Sequence, residues 1–222
     1  MQVEITHIAK HYRGKQVLRD VNLTAHGGQC IGILGANGTG KSTLLSILAG
    51  VLRRSGGSFT VDGQDLFKNN RLRSDYVGFV PQGTPLLEEL TAWDNLRLWY
   101  DRAELEAELE NGVLKTLGIR EFLKVPVSKM SGGMKKRLSI GCAVAGRPPI
   151  VLLDEPTAAL DLACKRSIAE YLEQYKAAGG LLILTTHDVL ELALCDAWYI
   201  IKDGVLVPFE FDGDVDKLVK CL

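Results

Sequence analysis

Several features that would place this chain in a familiar class are missing from its sequence. No apolar run approaches the roughly 18 residues that a membrane-spanning helix needs. The formal net charge of −1 leaves no basic excess, so nucleic acid is not an expected partner. The five cysteines include no Cys-x-x-Cys pair, which favours free or buried thiols in a reducing compartment over disulfides or a metal site. The N-terminus shows no targeting pattern, and we therefore expect a cytosolic location.

The composition that is present is that of a globular domain. Hydrophobic residues make up 46% of the 222 residues and charged residues 24%. This length suffices for one large α/β domain or two small ones with a proper core.

Two kinds of strand are predicted from the apolar pattern. Residues 2–8 and 17–24 alternate apolar and polar side chains, as half-buried antiparallel strands do. Residues 58–65 predict a strand running into an Asp62-Gly63 turn, and residues 199–207 predict a hairpin with an Asp-Gly turn.

The other kind of strand is apolar throughout. Residues 150–153 and 181–184 are unbroken apolar runs, typical of a parallel sheet that is covered on both faces. A helical pattern at 162–178 lies between them and completes a βαβ unit. Residues 91–125 are charged and helix-forming and predict a small helical insertion, and the tail 212–222 predicts a short helix.

A complete phosphate-binding loop follows the apolar run at 30–34. Its glycines let the backbone turn its N–H groups toward phosphate oxygens. Lys41 is placed to reach the β- and γ-phosphates, the Ser42 hydroxyl to ligate Mg²⁺, and a helix should follow with its positive end toward the same phosphates. The loop and the first helical residue are Gly35, Ala36, Asn37, Gly38, Thr39, Gly40, Lys41, Ser42 and Thr43. We therefore predict that the chain binds a nucleoside triphosphate.

Two carboxylates end the apolar strand at 150–153. Asp154 is a candidate ligand of Mg²⁺ or its water, and Glu155 is a candidate base for an attacking water. Two acids that merely open a turn before Pro156 are the alternative, and the upstream phosphate loop favours the catalytic interpretation.

The segment Met130-Ser131-Gly132-Gly133-Met134 resembles the signature motif of ATP-binding-cassette ATPases, usually Leu-Ser-Gly-Gly-Gln. The other motifs of that family follow in order along nearly the whole chain. They are an aromatic at Tyr12, a glutamine loop at Gln82, the segment Ala159-Leu160-Asp161 after the second carboxylate, and a switch histidine at His187. No Asn-Lys-x-Asp segment suggests guanine selection.

The resemblance implies an α/β fold over residues 1–222: a phosphate-loop NTPase core with a mixed sheet, an antiparallel β subdomain and a helical signature subdomain at about 83–145. It also implies ATP and Mg²⁺ as cofactors and hydrolysis of ATP as the reaction. Tyr12 would stack on adenine, and Gln82 would join Ser42 and Asp154 around Mg²⁺. Glu155 would be the general base, and His187 would contact the γ-phosphate.

In this family two cassettes sandwich two ATP molecules, so Ser131, Gly132 and Gly133 would act on the nucleotide of a second subunit, in a homo- or heterodimer. Met130 and Met134 depart from the usual leucine and glutamine, yet leave the backbone N–H groups at the helix start unchanged. The resulting pattern resembles a branch serving drug, lipid and polysaccharide exporters. Lys135, Lys136 and Arg137 are interpreted as a solvated helix face.

A transport role would require a separate permease and a position on the cytoplasmic face of the membrane. Residues 83–98 are the expected contact, with Leu86, Leu87, Leu90 and Trp93 exposed as a docking cleft. The alternative is a soluble cassette ATPase without a permease, acting in DNA repair, chromosome organisation or translation; such proteins usually carry tandem cassettes, zinc insertions or coiled-coil arms. A third interpretation, a regulator that binds nucleotide without catalysis, is disfavoured because Glu155 and His187 are both present.

Overall fold

The computed structural model describes residues 1–158 and 160–213. The tail prediction therefore lies largely outside the described residues, as do Ala159 of the predicted Ala159-Leu160-Asp161 segment and Cys221. The strands of the described part are β1 (Gln2–Tyr12), β2 (Lys15–His26), β3 (Cys30–Leu34), β4 (Gly56–Val61), β5 (Gln64–Asp65), β6 (Val77–Val80), β7 (Ile150–Asp154), β8 (Leu181–Thr185), β9 (Ala197–Lys202) and β10 (Val205–Phe209). Its α-helices are α1 (Lys41–Leu48), α2 (Asn70–Tyr76), α3 (Ala92–Leu96), α4 (Arg102–Asn111), α5 (Val113–Thr116), α6 (Gly132–Ala143), α7 (Leu162–Ala177) and α8 (Val189–Leu194).

All ten of these strands join one mixed sheet in the order β5-β4-β1-β2-β10-β9-β3-β8-β7-β6. The half from β5 to β2 is antiparallel, and β3, β9, β8, β7 and β6 form a parallel core. A single parallel bridge, Val205 to Asp20, connects the halves. The α/β fold with a mixed sheet and an antiparallel part is thus confirmed.

The pattern of side chains accounts for the two halves. In β2, Val21, Leu23 and Ala25 are buried and alternate with exposed residues, so one face of this strand meets the core. In β3, β7 and β8 every residue is buried, because helices cover both faces. The predicted hairpins are also confirmed, and Asp62 and Asp203 adopt positive φ values of 47° and 50° in their Asp-Gly turns.

The helical insertion lies between β6 and β7. Helices α3 and α4 begin with capping boxes at Thr91 and Asp101, and α6 begins after Ser131. These helices bury Leu96, Leu105 and Leu138 in an apolar cluster that also includes Leu153 of β7. The helices therefore fall within the predicted range of 83–145, while the one-domain division itself stays a prediction.

The structure also contains elements that the sequence pattern did not predict. These are α2, α8 and the four-residue strand β6. All three are short, and α2 buries no residue completely, so none carries a clear apolar period. In the part of the chain that the structure describes, no helix is long and apolar enough to cross a membrane.

Candidate functional site

The phosphate loop connects β3 to α1 and forms one side of a cavity of about 580 Å³. Gly35 has a φ of 149°, and a Cβ at this position would lie 2.8 Å from Thr39 Oγ1 and 3.1 Å from the Ile201 carbonyl oxygen. Only glycine fits this combination of conformation and close approach. The cavity lining consists of Val17, Asn37, Gly38, Gly40, Lys41, Ser42, Thr43, Gln82, Glu155 and His187.

Lys41 lies at the start of α1 and is only 5% exposed. Its ammonium donates hydrogen bonds to the carbonyl oxygens of Gly35 at 2.5 Å and Ala36 at 3.2 Å. Burial lowers the pKa of Lys41, and the nearby carboxylates of Glu155 and Asp154 act in the opposite direction. The loop thus holds a cation at the position where the sequence predicts phosphate.

Glu155 follows β7 directly and is positioned by its neighbours. Its backbone N–H donates to the carbonyl oxygen and the hydroxyl of Thr185, each at 3.1 Å. Its φ of 49° lies in the left-handed region, an unfavourable conformation for a residue with a side chain. Glu155 lines the same cavity as the phosphate-loop residues Gly38 and Lys41.

Gln82 and His187 each lie near a different oxygen of the Glu155 carboxylate. Gln82 Nε2 donates to Glu155 Oε2 at 2.9 Å, and His187 Nε2 lies 3.8 Å from Glu155 Oε1. Burial and the charge of Lys41 lower the pKa of His187, with Glu155 opposing, so the neutral imidazole is favoured. The fold therefore joins three motifs from distant parts of the sequence.

Asp154 is not in the cavity lining. It ends β7 at 4% exposure and accepts a 2.6 Å hydrogen bond from the hydroxyl of Thr185. Thr185 therefore holds the Asp154 carboxylate and the Glu155 backbone, a role that the sequence pattern did not reveal. A polar residue closing the apolar run at 181–184, beside a parallel strand that also ends in polar residues, was the available signal.

The donor chemistry of Ser42, Gln82 and Asp154 fits Mg²⁺. A hydroxyl, an amide oxygen and one carboxylate are hard oxygen ligands, and Mg²⁺ at phosphate sites commonly takes few protein ligands. In the described residues, no three His, Cys, Asp or Glu side chains lie together as a candidate metal site.

Tyr12 ends β1 near the tip of the β1–β2 hairpin and is 42% exposed. Lys10 Nζ lies 4.6 Å from the centre of its ring. The ring is not part of the cavity lining, although Val17 of the same hairpin is. Adenine stacking by Tyr12 stays a prediction.

The signature segment lies apart from this cavity. Ser131 is exposed and caps α6, where its hydroxyl accepts a hydrogen bond from the Met134 N–H at 3.2 Å. Gly132 is exposed with open space around it, whereas a Cβ at Gly133 would lie 2.4 Å from Cys164 Sγ of α7. Asp161 caps α7 by accepting from the Cys164 N–H at 2.8 Å, so the starts of α6 and α7 lie side by side.

Two expectations about surface residues were wrong. Lys136 does not lie on a solvated face, because it is 5% exposed and its ammonium donates to the carbonyl oxygens of Pro81 and Gln82. Arg137 is partly buried, and its guanidinium lies over the ring of Phe122. Both side chains are covered because they project from the part of α6 that packs inward, where the buried positions include Gly133, Ser139 and Ile140.

The expected docking cleft was only partly correct. Leu87 is 49% exposed, whereas Leu86 and Trp93 are half-buried and pack against the helical core, and Leu90 is half-buried. Within residues 83–99, the most exposed apolar side chains are Leu98 at 60% and Trp99 at 64%, both just after α3. The exposed apolar surface of this segment therefore lies at Leu87, Leu98 and Trp99.

The comparisons with known proteins agree with one another. A family model described as "ABC transporter" matches residues 18–158. Nod factor export ATP-binding protein I of Sinorhizobium fredii is 36% identical over 207 residues, which cover 91% of this chain and 60% of that protein. The chain thus spans less than two thirds of that relative. Linearmycin resistance ATP-binding protein LnrL of Bacillus subtilis is 33% identical, over 96% of this chain and 70% of LnrL.

Solved structures agree with these relatives. The dimeric post-hydrolysis state of the ATP-binding cassette MJ0796, bound to ADP and Pi, aligns with a TM-score of 0.84 and 27% identity, over 96% of this chain and 100% of that one. An ATP-binding subunit of an ABC transporter aligns with a TM-score of 0.83 and 26% identity, over 100% of this chain and 93% of that one.

Proposed function

The chain belongs to the ABC transporter family as an ATP-binding cassette, and from this premise we propose that it hydrolyses ATP to drive export through a separate membrane permease. The observation that carries the proposal is the placement of Glu155 in the phosphate-loop cavity, between Gln82 and His187. A carboxylate held opposite a phosphate site, by a strained backbone and two polar neighbours, is suited to act as a general base.

We assign the remaining roles from the same geometry. The backbone N–H groups of residues 35–42 and the Lys41 ammonium would neutralise the phosphates, with Lys41 exchanging its two carbonyl partners for phosphate oxygens. Mg²⁺ would be held by Ser42 with Gln82 and Asp154, and when bound it supplies charge neutralisation at the phosphates. His187, kept neutral by its surroundings, can donate from one ring nitrogen and accept at the other.

The signature segment would serve a second cassette. Ser131 and Gly132 are exposed, and Ser131, Gly132 and Gly133 stand away from their own chain's cavity. The backbone N–H groups of Gly132 and Gly133 at the start of the 12-residue helix α6 would form an anion site suited to the nucleotide of a partner. The similar cassette MJ0796 is dimeric in its post-hydrolysis state.

Transport and its direction rest on the relatives. Those named above act in Nod factor export and linearmycin resistance, and the lipopolysaccharide export protein LptB of Escherichia coli is 32% identical over 90% of this chain. We propose that the permease contacts the apolar side chains of Leu87, Leu98 and Trp99, and that the chain works at the cytoplasmic face of the membrane.

Phosphate release from Mg-ATP by the purified chain tests the enzymatic part. Glu155→Gln should bind a fluorescent ATP analogue normally yet lose turnover by about 10²- to 10⁴-fold, the usual contribution of a positioned base. Glu173→Gln, the same substitution on the exposed surface of α7, is the matched control. Equal turnover in Glu155→Gln and the wild type would remove Glu155 from the mechanism.

A further inference from the structure

Lys136 is a buried cation to which the proposed function gives no role. It lies in the second turn of α6, three residues after Gly133 of the signature segment, and is 5% exposed. A lysine ammonium buried to this degree carries a large desolvation cost unless polar partners offset it. The hydrogen-bond partners of the Lys136 ammonium therefore indicate its role.

Two of those partners belong to the segment that carries Gln82. Lys136 Nζ donates to the carbonyl oxygens of Pro81 and Gln82, each at 3.0 Å, and so takes two acceptors immediately after β6. The side chain of Gln82 extends from this anchored backbone to Glu155 Oε2 at 2.9 Å. A continuous path of three hydrogen-bonded groups thus runs from α6 through Gln82 to Glu155.

The electrostatic surroundings support the same arrangement. Burial lowers the pKa of Lys136, and the carboxylates of Asp154, Glu191 and Glu155 act against that shift. The ammonium therefore lies in the electrostatic field of three carboxylates: Asp154 at the end of β7, Glu155 directly after it, and Glu191 in α8.

We propose that Lys136 is a positioning residue that ties the signature helix to Gln82, so that the Gln82–Glu155 contact depends on the position of α6. The inference rests on the proposed ATPase function and deepens it, because it connects the surface offered to a partner nucleotide with the base of this chain's own site. A shift of α6 relative to β6 moves the Gln82 backbone through the two carbonyl contacts and changes the setting of Glu155.

The test compares three variants of the full chain. Lys136→Met keeps an unbranched side chain of similar length but removes the donors, Lys136→Arg keeps the charge and donors, and Lys135→Met is the matched control. Lys135 is the next residue of α6, and its ammonium lies 3.3 Å from Glu88 in a partly exposed ion pair of the kind that usually contributes little.

Lys136→Met should lower kcat by about 10- to 100-fold, since a small misplacement of a catalytic group has effects of this size. The affinity of a fluorescent ATP analogue and the thermal midpoint should stay near those of the wild type. Lys136→Arg should recover most of kcat, and Lys135→Met should leave it within about twofold. Amide hydrogen exchange at residues 82–84 should quicken in Lys136→Met and not in Lys135→Met, whose own partner Glu88 lies outside this window. This measurement reports on the contact without requiring turnover.

Unchanged kcat and unchanged exchange in Lys136→Met would overturn the inference while leaving the ATPase function intact. Parallel losses of kcat, nucleotide affinity and thermal midpoint would overturn it too, because Lys136 would then only support the fold. A wild-type chain that binds ATP but releases no phosphate would instead remove the proposed function, and the inference with it.

Discussion

At the scale of single residues, the phosphate site depends on a cation that the fold keeps out of water. Lys41 is 5% exposed and its ammonium bonds two carbonyls of its own loop, so bound phosphate would replace partners that are already polar. A hydrogen bond from Lys41 to phosphate is stronger than one to a carbonyl group, because phosphate oxygens carry negative charge that carbonyl groups lack.

Lys41→Ala should therefore weaken ATP binding by about 10- to 100-fold or more, the range for a hydrogen bond to a charged group. Titration of a fluorescent ATP analogue measures this loss. Circular dichroism should show an intact fold, since the small side chain also releases the desolvation cost of the buried ammonium. Affinity near the wild-type value would contradict the assignment of the phosphate loop.

The shifted pKa of His187 should make the free energy of unfolding depend on pH. Burial and Lys41 lower its pKa in the folded protein below the value of about 6.5 that it has when unfolded. Between those two values the unfolded chain binds more protons, so the free energy of unfolding should rise with pH across that interval and fall as the solution is acidified below about 6.5.

Replacing the imidazole should remove this contribution. His187→Gln should show a flatter dependence of unfolding free energy on pH just below 6.5 than the wild type, measured by urea titration at several pH values. The difference should be modest because the side chain is 40% exposed. Superimposable pH profiles would show that His187 has the same pKa in both states.

At the scale of secondary-structure elements, α6 presents two different surfaces. Its exposed start presents Ser131 and Gly132, and its inner face carries Gly133 against Cys164 and Lys136 against Pro81 and Gln82. The helix thus faces outward and toward the chain's own site at the same time.

The outward face is tested by two substitutions near its start. Ser131→Arg should abolish ATPase activity by blocking the approach of a second subunit, while each chain's own cavity still binds nucleotide. Met134→Gln should change activity only modestly, because its N–H bonds Ser131 Oγ whichever side chain it carries. ATP affinity and ATPase rate are measured on the same preparations. Hydrolysis retained in Ser131→Arg would mean that this segment only begins a helix.

At the scale of the whole molecule, the parallel core brings the site together. The strands β3, β8, β7 and β6 are neighbours in the sheet, and the phosphate loop, Thr186-His187, Glu155 and Gln82 follow their carboxyl ends. Ligands of α/β sheets bind at this edge because successive strands release their loops there. The signature segment lies away from this cavity. In the proposed arrangement each ATP site therefore combines the cavity of one chain with the signature segment of a second chain.

A sandwich of two cassettes should therefore form on ATP and dissolve on hydrolysis. Glu155→Gln, which would bind ATP without turnover, should elute as a dimer from a size-exclusion column with Mg-ATP and as a monomer without nucleotide. Adding Ser131→Arg to this variant should restore the monomer in both conditions. A monomer in both conditions for Glu155→Gln alone would argue against the two-cassette arrangement.

The sequence by itself determined the features that depend on neighbouring residues. The phosphate loop, the capped start of α6 and the fully apolar strands are local patterns, and each has one favourable backbone solution. The motifs also suggested that the phosphate loop, Gln82, Glu155 and His187 belong together, and these residues line one cavity. The roles of Tyr12, Asp154 and Ser131 stay predictions.

Only the tertiary structure decided which side chains are buried and what they touch. Lys136 occurs in a basic run, which predicts a solvated side chain. The packing of α6 on the end of β6 buries it instead, and its ammonium donates to the carbonyl oxygens of Pro81 and Gln82. Packing also half-buries Leu86 and Trp93 against the helical core and leaves Leu98 and Trp99 exposed. Burial depends on neighbours distant in sequence, and hydrophobicity alone cannot say which face of a short helix meets them.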